Sequence, residues 1–252
     1  MSRIAMTGLV VVLAMGLGRA QAALVLTTSD SKPTGNVIEE FSNDAPSRPT
    51  SYGFRFPSGN AAKNEQLGNT FQVGAAAVAD SISVWVGDSP TSADGKKVYI
   101  ELWDLGATDS VDYSPDDGTG NLLISKSGTS WFTSTDVIDK WVTFDFDGTV
   151  ALSTGREYGF LIGFDEGQAD DERVMLAVQR DGTTYANGRY WFREGNDGAN
   201  SAAGYSVADG AGFSTETDRD VLFVVQAVPE PASMLVLGLG GLGMLLKRRR
   251  RP

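Results

Sequence analysis

Short apolar segments that alternate with period two recur through the middle of the chain. Residues 81–87, 98–103 and 141–146 alternate in this way, and the turn signal Asp147-Gly148 follows the last of them. Residues 158–164 and 221–225 are instead continuous apolar runs, which are typical of central strands buried on both faces. Further candidate strands are residues 52–56, 70–73, 122–125, 174–179, Tyr185 and residues 189–193.

Turn signals separate these segments, and no amphipathic helix pattern is visible between residues 23 and 228. About ten short strands of this kind predict an all-β fold, a single β-sandwich that is jelly-roll-like. No internal repeat of fixed period occurs, which disfavours a propeller or a solenoid. We therefore expect residues 23–228 to form one β-sandwich domain.

The N-terminus has the pattern of a secretory signal peptide. Arg3 precedes an apolar run over residues 4–17, and small residues follow at Ala20 and Ala22. The apolar run is too short to span a bilayer comfortably, so cleavage is favoured over retention. Residues 1–22 are therefore predicted to form a signal helix that is cleaved after Ala22; the alternative is a buried N-terminal helix.

The C-terminus contains a proline motif, an apolar segment and a basic tail, in that order. Val228, Pro229, Glu230 and Pro231 precede the apolar residues 232–246. As a helix this segment would be about 22 Å long, short of the roughly 30 Å hydrocarbon core. The basic tail consists of Lys247, Arg248, Arg249, Arg250 and Arg251. By the positive-inside rule the tail stays in the cytoplasm, so we expect a temporary transmembrane anchor that leaves the preceding domain outside.

These three parts, over residues 228–252, resemble the PEP-CTERM sorting signal, also called the ice-binding protein C-terminal domain. The resemblance implies a Gram-negative bacterium that produces exopolysaccharide and a precursor anchored in the inner membrane. It also implies an exosortase that recognises Pro229-Glu230-Pro231 and cuts nearby, which sends the protein to the cell surface or the extracellular matrix. The ice-binding name gives no support for ice binding, because Thr-x-Thr ladders do not recur here.

The middle of the chain also resembles exported β-sandwich domains of the choice-of-anchor type. This resemblance covers residues 67–164 and implies surface display, with no known activity for most members. The segments that carry it are residues 67–71, 82–86, 98–103, 121–123, 141–144 and 152–160.

The composition excludes several classes of chemistry. The chain has no histidine and no cysteine, so catalysis by Ser-His-Asp or Cys-His, thiolate metal sites and disulfides are excluded. Residues 23–228 carry 14 Lys and Arg against 31 Asp and Glu, a net charge of −17. Such an acidic chain is not expected to bind nucleic acid. No cofactor is predicted, although calcium chemistry stays open.

One acid-rich loop offers candidate calcium ligands. They are Asp165, Glu166, Asp170, Asp171 and Glu172. Hard oxygen donors on a loop suit calcium, but the spacing does not match the Asp-x-Asp-x-Asp-Gly pattern of calcium loops. The alternative is a solvated loop whose charges keep an exported protein soluble.

Four aromatic residues on predicted strand faces are candidates for stacking on sugar rings. They are Trp191, Trp103, Tyr99 and Trp85. Trp191 shares its strand face with Arg189 and Arg193, while Tyr99 and Trp103 share a face with Glu101 and oppose Val98, Ile100 and Leu102. The alternative is that both sheet faces are covered and the rings belong to a core.

We expect an exported structural or adhesive protein associated with exopolysaccharide and biofilm. The second hypothesis is a carbohydrate-binding module supported by calcium. A carboxylate glycosidase is a distant third, with Asp145, Asp147 and Glu101 as candidate acids. A glycosidase needs two carboxyls that converge in a cleft, and the spacing of these acids along a strand does not show such a pair, so we predict that the protein is not an enzyme.

Overall fold

The computed structural model describes residues 24–42, 51–56, 64–89, 91–113, 122–164, 172–180, 185–195, 212–216 and 219–228. These residues form fourteen strands, one 3₁₀ turn (Thr91–Ala93) and one short helix, α1 (Ser134–Val137). The strands are β1 (Val25–Ser29), β2 (Val37–Phe41), β3 (Ser51–Phe56), β4 (Asn64–Gln72), β5 (Ala77–Asp88), β6 (Lys97–Ala107), β7 (Leu122–Ser130), β8 (Lys140–Leu152), β9 (Arg156–Phe164), β10 (Glu172–Arg180), β11 (Tyr190–Gly195), β12 (Gly212–Glu216), β13 (Arg219–Val221) and β14 (Phe223–Ala227).

The predicted all-β class is confirmed in the described residues. Most predicted strands are present, although β4 begins at Asn64 and Tyr185 lies outside any strand. β1, β2 and β12 were not predicted, and the predicted run over residues 221–225 is divided between β13 and β14. In β1 the side chains are mostly exposed, and the strand is held by backbone pairing with β8. An exposed edge strand needs no apolar alternation, so it leaves no periodic signal.

A second difference concerns the predicted turn at Asp147-Gly148, which does not end its strand. β8 continues to Leu152 and pairs with β5 on both sides of this point. The register shifts there, because Asp145 faces Ser81 whereas Val150 faces Ala79. The turn signal thus marks a bulged interruption within one long strand.

The strands form a continuous antiparallel sheet that is not closed. The main path runs β1-β8-β5-β10-β3-β4-β9-β6-β7, and β14 joins β5 to β2 beside it. The sheet folds over on itself, since Phe160 of β9 lies 5.5 Å from Phe223 of β14, between ring centroids. This two-layer arrangement agrees with a sandwich, and the layers are linked by hydrogen-bonded strands.

The main core lies between the two layers. Alternate residues of β5 and β6 face it, as the period-two pattern predicts: Ile82, Val84, Val98, Ile100 and Leu102 are all buried. Packing of these rows removes a large apolar area from water, which supplies the main stabilisation in a chain without disulfides.

No helix among the described residues is long and apolar enough to cross a membrane. The predicted signal helix over residues 1–22, with Ala20 and Ala22, and the predicted transmembrane helix over residues 232–246 lie outside the described residues. Both stay predictions, as do the domain boundaries.

Candidate functional site

The last strand carries the chain from the core to the start of the proline motif. β14 lies between β2 and β5, and Phe223, Val224 and Val225 are buried. Beyond them, the Ala227 N–H donates to the Asn36 carbonyl (2.8 Å) and the Val228 N–H donates to the Val78 carbonyl (3.1 Å). The fold therefore holds the chain on both sides up to the residue before Pro229.

We call Val228, the last described residue, the exit point. A shallow depression of about 800 Å³ opens beside it. Its lining is apolar or uncharged except for Glu39. The lining residues are Asn36, Val37, Ile38, Glu39, Gly74, Ala75, Ala77, Ala227 and Val228. The Glu39 carboxylate accepts a hydrogen bond from the Tyr185 hydroxyl (2.7 Å). Burial and this carboxylate raise the pKa of Tyr185 above its usual value, so its hydroxyl stays protonated and donates.

Three of the four candidate sugar-stacking residues lie in the interior. Trp191, Trp103 and Tyr99 are each 0% exposed. A sugar ring cannot reach them in this structure. They are core residues, which was the alternative interpretation of the sequence. Only Trp85 is partly exposed, and its ring packs edge-on against Trp141 with centroids 5.7 Å apart.

The buried rings surround an arginine, and we call this group the Arg193 cluster: Arg193, Glu101, Tyr99, Gln66 and Trp103. Arg193 Nη1 lies 3.0 Å from Glu101 Oε2, and both side chains are fully buried. Arg193 also donates from Nε to Gln66 Oε1 (2.7 Å) and from Nη2 to the Tyr99 hydroxyl (3.1 Å). Trp103 Nε1 donates to the same Glu101 oxygen (3.1 Å). The cluster thus draws its members from β4, β6 and β11.

This arrangement compensates two buried charges. Burial lowers the pKa of Arg193, but the neighbouring Tyr99 and Glu101 outweigh it and raise the pKa above its usual value. The guanidinium therefore stays charged. Glu101, a candidate glycosidase acid, has no access to solvent or substrate here.

Two glycines on β9 make room for this layer of large side chains, and a glycine on β4 allows close approach of the backbone of β9. A Cβ at Gly159 would lie 2.6 Å from two ring carbons of Trp191, and a Cβ at Gly163 would lie 2.8 Å from the Tyr99 hydroxyl. At Gly68 a Cβ would collide with the Phe160 carbonyl, at 1.8 Å. These glycines are needed for close approach, which is the usual meaning of glycine inside a strand.

Tyr113 lies over the edge of the same layer. Its carbonyl accepts a hydrogen bond from Trp191 Nε1 (3.0 Å), and Arg189 lies 4.3 Å above its ring. Burial and the nearby Glu157 carboxylate raise the pKa of Tyr113 to about 12. Arg189, a predicted neighbour of Trp191, therefore contacts the ring of Tyr113.

A second buried polar group centres on Asp220, which is 1% exposed. Its carboxylate accepts hydrogen bonds from Asn69 Nδ2 (3.1 Å) and from the Tyr185 N–H (2.8 Å). Asn69 in turn accepts a bond from the Val221 N–H (3.0 Å). Burial raises the pKa of Asp220 to about 6, although these hydrogen bonds oppose the shift.

Comparison with protein-family models gives a match that begins next to the exit point. Residues 227–251 match the PEP-CTERM protein-sorting motif. The match begins at the last residue of β14 and includes the Pro-Glu-Pro motif and the basic tail, so the resemblance to this sorting signal is confirmed. A PEP-CTERM motif indicates an exported protein of a Gram-negative bacterium, with a membrane-anchored precursor that is processed by an exosortase.

The PEP-CTERM match covers only this C-terminal segment. The resemblance of residues 67–164 to choice-of-anchor domains gains no support from it, and neither does the ice-binding name. A search of curated proteins found no match.

Most of the predicted calcium loop lies outside the described residues. Asp165, Glu166, Asp170 and Asp171 lie outside the described residues, and Glu172 is described only as the first residue of β10. Within the described parts of the chain, no group of three or more acidic side chains is arranged to hold a metal ion.

The segments that surround the exit point were not predicted from the sequence. Residues 34–38 and 73–79 meet the end of β14, yet the sequence analysis gave them no role. A signal was present, because both segments are uncharged and rich in small residues within a strongly acidic body.

Proposed function

We propose that this protein is a structural or adhesive component of the cell surface or extracellular matrix, associated with exopolysaccharide after exosortase processing. The observation that carries the proposal is the PEP-CTERM motif directly after β14. The last described strand ends at Ala227, where the match begins, so cleavage within or after the Pro-Glu-Pro motif would leave every described strand in the released protein.

The properties of the body support a non-catalytic role. The buried charges of Arg193 and Glu101 are paired with each other, so they stabilise the fold and do not line a cleft. Its net charge of −17 suits a soluble surface protein and favours bridging to anionic polymers through calcium. We propose that it is not an enzyme.

The sorting step is tested by replacing Pro229, Glu230 and Pro231 with alanine in the full chain. The variant should accumulate in the membrane fraction, whereas the parent protein is released. A matched control carries Ser127→Ala and Thr135→Ala, two exposed positions of the body in β7 and α1. Normal release of the motif variant would refute exosortase sorting.

The exopolysaccharide association is tested in a host that lacks exopolysaccharide synthesis. The processed protein should move from the matrix fraction to the medium, because its polymer partner is missing. An unchanged distribution between matrix and medium would contradict this part of the proposal.

Carbohydrate binding is a second candidate, favoured by one observation. Trp85 is the partly exposed member of the aromatic candidates, and its ring packs edge-on against Trp141. A glycan array with the processed protein, with and without calcium, tests it. Binding that Trp85→Ala leaves unchanged would exclude this surface.

A further inference from the structure

One end of the domain is built from segments without charged residues, and we call them the exit tip: residues 34–38, 73–79, 150–155 and 226–228. None of these 21 positions is acidic or basic, although the body carries a net charge of −17. Strand pairing brings the segments together, since Val78 pairs with Ala151 and the Ala227 N–H bonds to the Asn36 carbonyl. The exit tip is thus built from uncharged segments far apart in sequence, with Glu39 lining the depression beside Val228.

The exit tip lies close to the membrane in the anchored precursor. Val228 is held in the fold, and the apolar segment starts at residue 232. Four residue steps span at most about 14 Å. The tip therefore lies within about 14 Å of the beginning of the membrane segment, on whichever path the intervening residues take.

The exit tip also groups exposed apolar side chains. Five large apolar side chains among the described residues are exposed, and three of them, Val37 (37%), Val78 (44%) and Val228 (37%), belong to the tip. The depression beside Val228 gives this surface a concave part. Exposed apolar side chains grouped beside a concavity mark sites of interaction with a partner.

We propose that the exit tip is a docking surface for the exosortase, which contacts the folded domain as well as the Pro-Glu-Pro motif. This inference rests on the proposed sorting of the chain by that enzyme. An enzyme that encloses residues 229–231 must come within a few residues' length of Val228, so the tip is the part of the domain that it meets. Apolar, uncharged contacts there would hold the motif in the active site and add to its recognition.

The test changes the exposed valines of the tip in the full chain and follows precursor processing in cells. Val37→Asp and Val78→Asp should each slow processing by at least about fivefold, because each puts a charge into an apolar contact. Leu123→Asp, on β7 and also exposed (38%), is the matched control and should be processed at the parental rate. Unchanged melting temperatures of the processed variants would show that the domain still folds.

A positive charge at position 78 distinguishes loss of enzyme docking from repulsion of a negative charge by the membrane. An apolar contact is disturbed by either sign, so Val78→Lys should also slow processing. Slowing by Val78→Asp alone would point to repulsion from anionic lipid and would overturn the docking proposal. Parental rates for all the valine variants would overturn it as well.

The alanine variant of Pro229-Glu230-Pro231 serves as the reference in the same experiment. If processing of the alanine variant is blocked while the valine variants are processed at the parental rate, the docking proposal is refuted but the sorting proposal is supported. If the alanine variant is also processed normally, the sorting proposal itself fails.

Discussion

Breaking the buried pair Arg193–Glu101 should be among the most damaging single changes in the domain. Arg193→Met leaves the Glu101 carboxylate without the guanidinium 3.0 Å away, at a position with no solvent access. Removing one partner of a buried ion pair costs about 3–5 kcal/mol. For a domain of this size that corresponds to a loss of roughly 6–20 °C in melting temperature. Glu101→Leu should cost a similar amount, because it leaves the arginine charge unpaired.

The double variant Arg193→Met/Glu101→Leu distinguishes a coupled pair from two independent positions. It buries no unpaired charge, so it should cost little more than either single change. Gln66, Tyr99 and Trp103 each lose one hydrogen-bond partner, at about 1–3 kcal/mol each if no other partner replaces it. We therefore expect the two single costs together to exceed the double cost by at least about 2 kcal/mol.

Urea unfolding of the purified, processed protein, followed by tryptophan fluorescence and circular dichroism, measures all three variants. Trp103 and Trp191 lie beside the pair, so their emission reports on this layer. If the two single costs sum to the cost of the double variant within about 0.5 kcal/mol, the two charges do not stabilise each other. A single Arg193→Met cost below about 1 kcal/mol would show that the site is not buried in solution.

Two further predictions concern a titrating group and a glycine. The pKa of Asp220 is raised from 3.8 to about 6, so its contribution to stability is fully present below about pH 4 and is lost as the pH rises through 6. This loss amounts to about 3 kcal/mol at about 1.4 kcal/mol per unit. The unfolding free energy of Asp220→Asn should lack this decline, and parallel pH profiles of parent and variant would contradict the assignment. Gly159→Ala should destabilise by about 1–3 kcal/mol because its Cβ would meet the Trp191 ring, whereas Gly74→Ala, with open space around it, should change stability by less than about 0.5 kcal/mol. Equal melting temperatures for the two glycine variants would rule out the close approach at Gly159.

The faces of the strands could be predicted from the sequence, but their surroundings could not. The alternation in β6 correctly puts Tyr99, Glu101 and Trp103 opposite Val98 and its apolar neighbours. It cannot show that this second face is covered as well, because the cover comes from β11 and Tyr113. An aromatic and charged row therefore suggested a sugar surface where the structure has a buried layer.

The glycines carried a signal that the sequence analysis did not use. Gly159 and Gly163 interrupt an otherwise large apolar strand at a spacing of four, so they lie on one face of it. Two glycines on one face leave space beside the strand, which predicts that large side chains from elsewhere in the chain pack against that face. Which side chains fill it depends on the neighbours of β9, and pairing partners are not encoded locally.

The sequence by itself determined the all-β character of the body and the sorting motif at its C-terminal end. Both follow from local patterns, namely period-two alternation and a contiguous motif with its apolar segment and basic tail. Only the tertiary structure decided that Gln66, Glu101 and Arg193 meet in one buried cluster, and that the uncharged segments gather around Val228. The physical reason is that long-range strand pairing and folding of the sheet onto itself fix which faces meet, and neither is a property of any short stretch of chain.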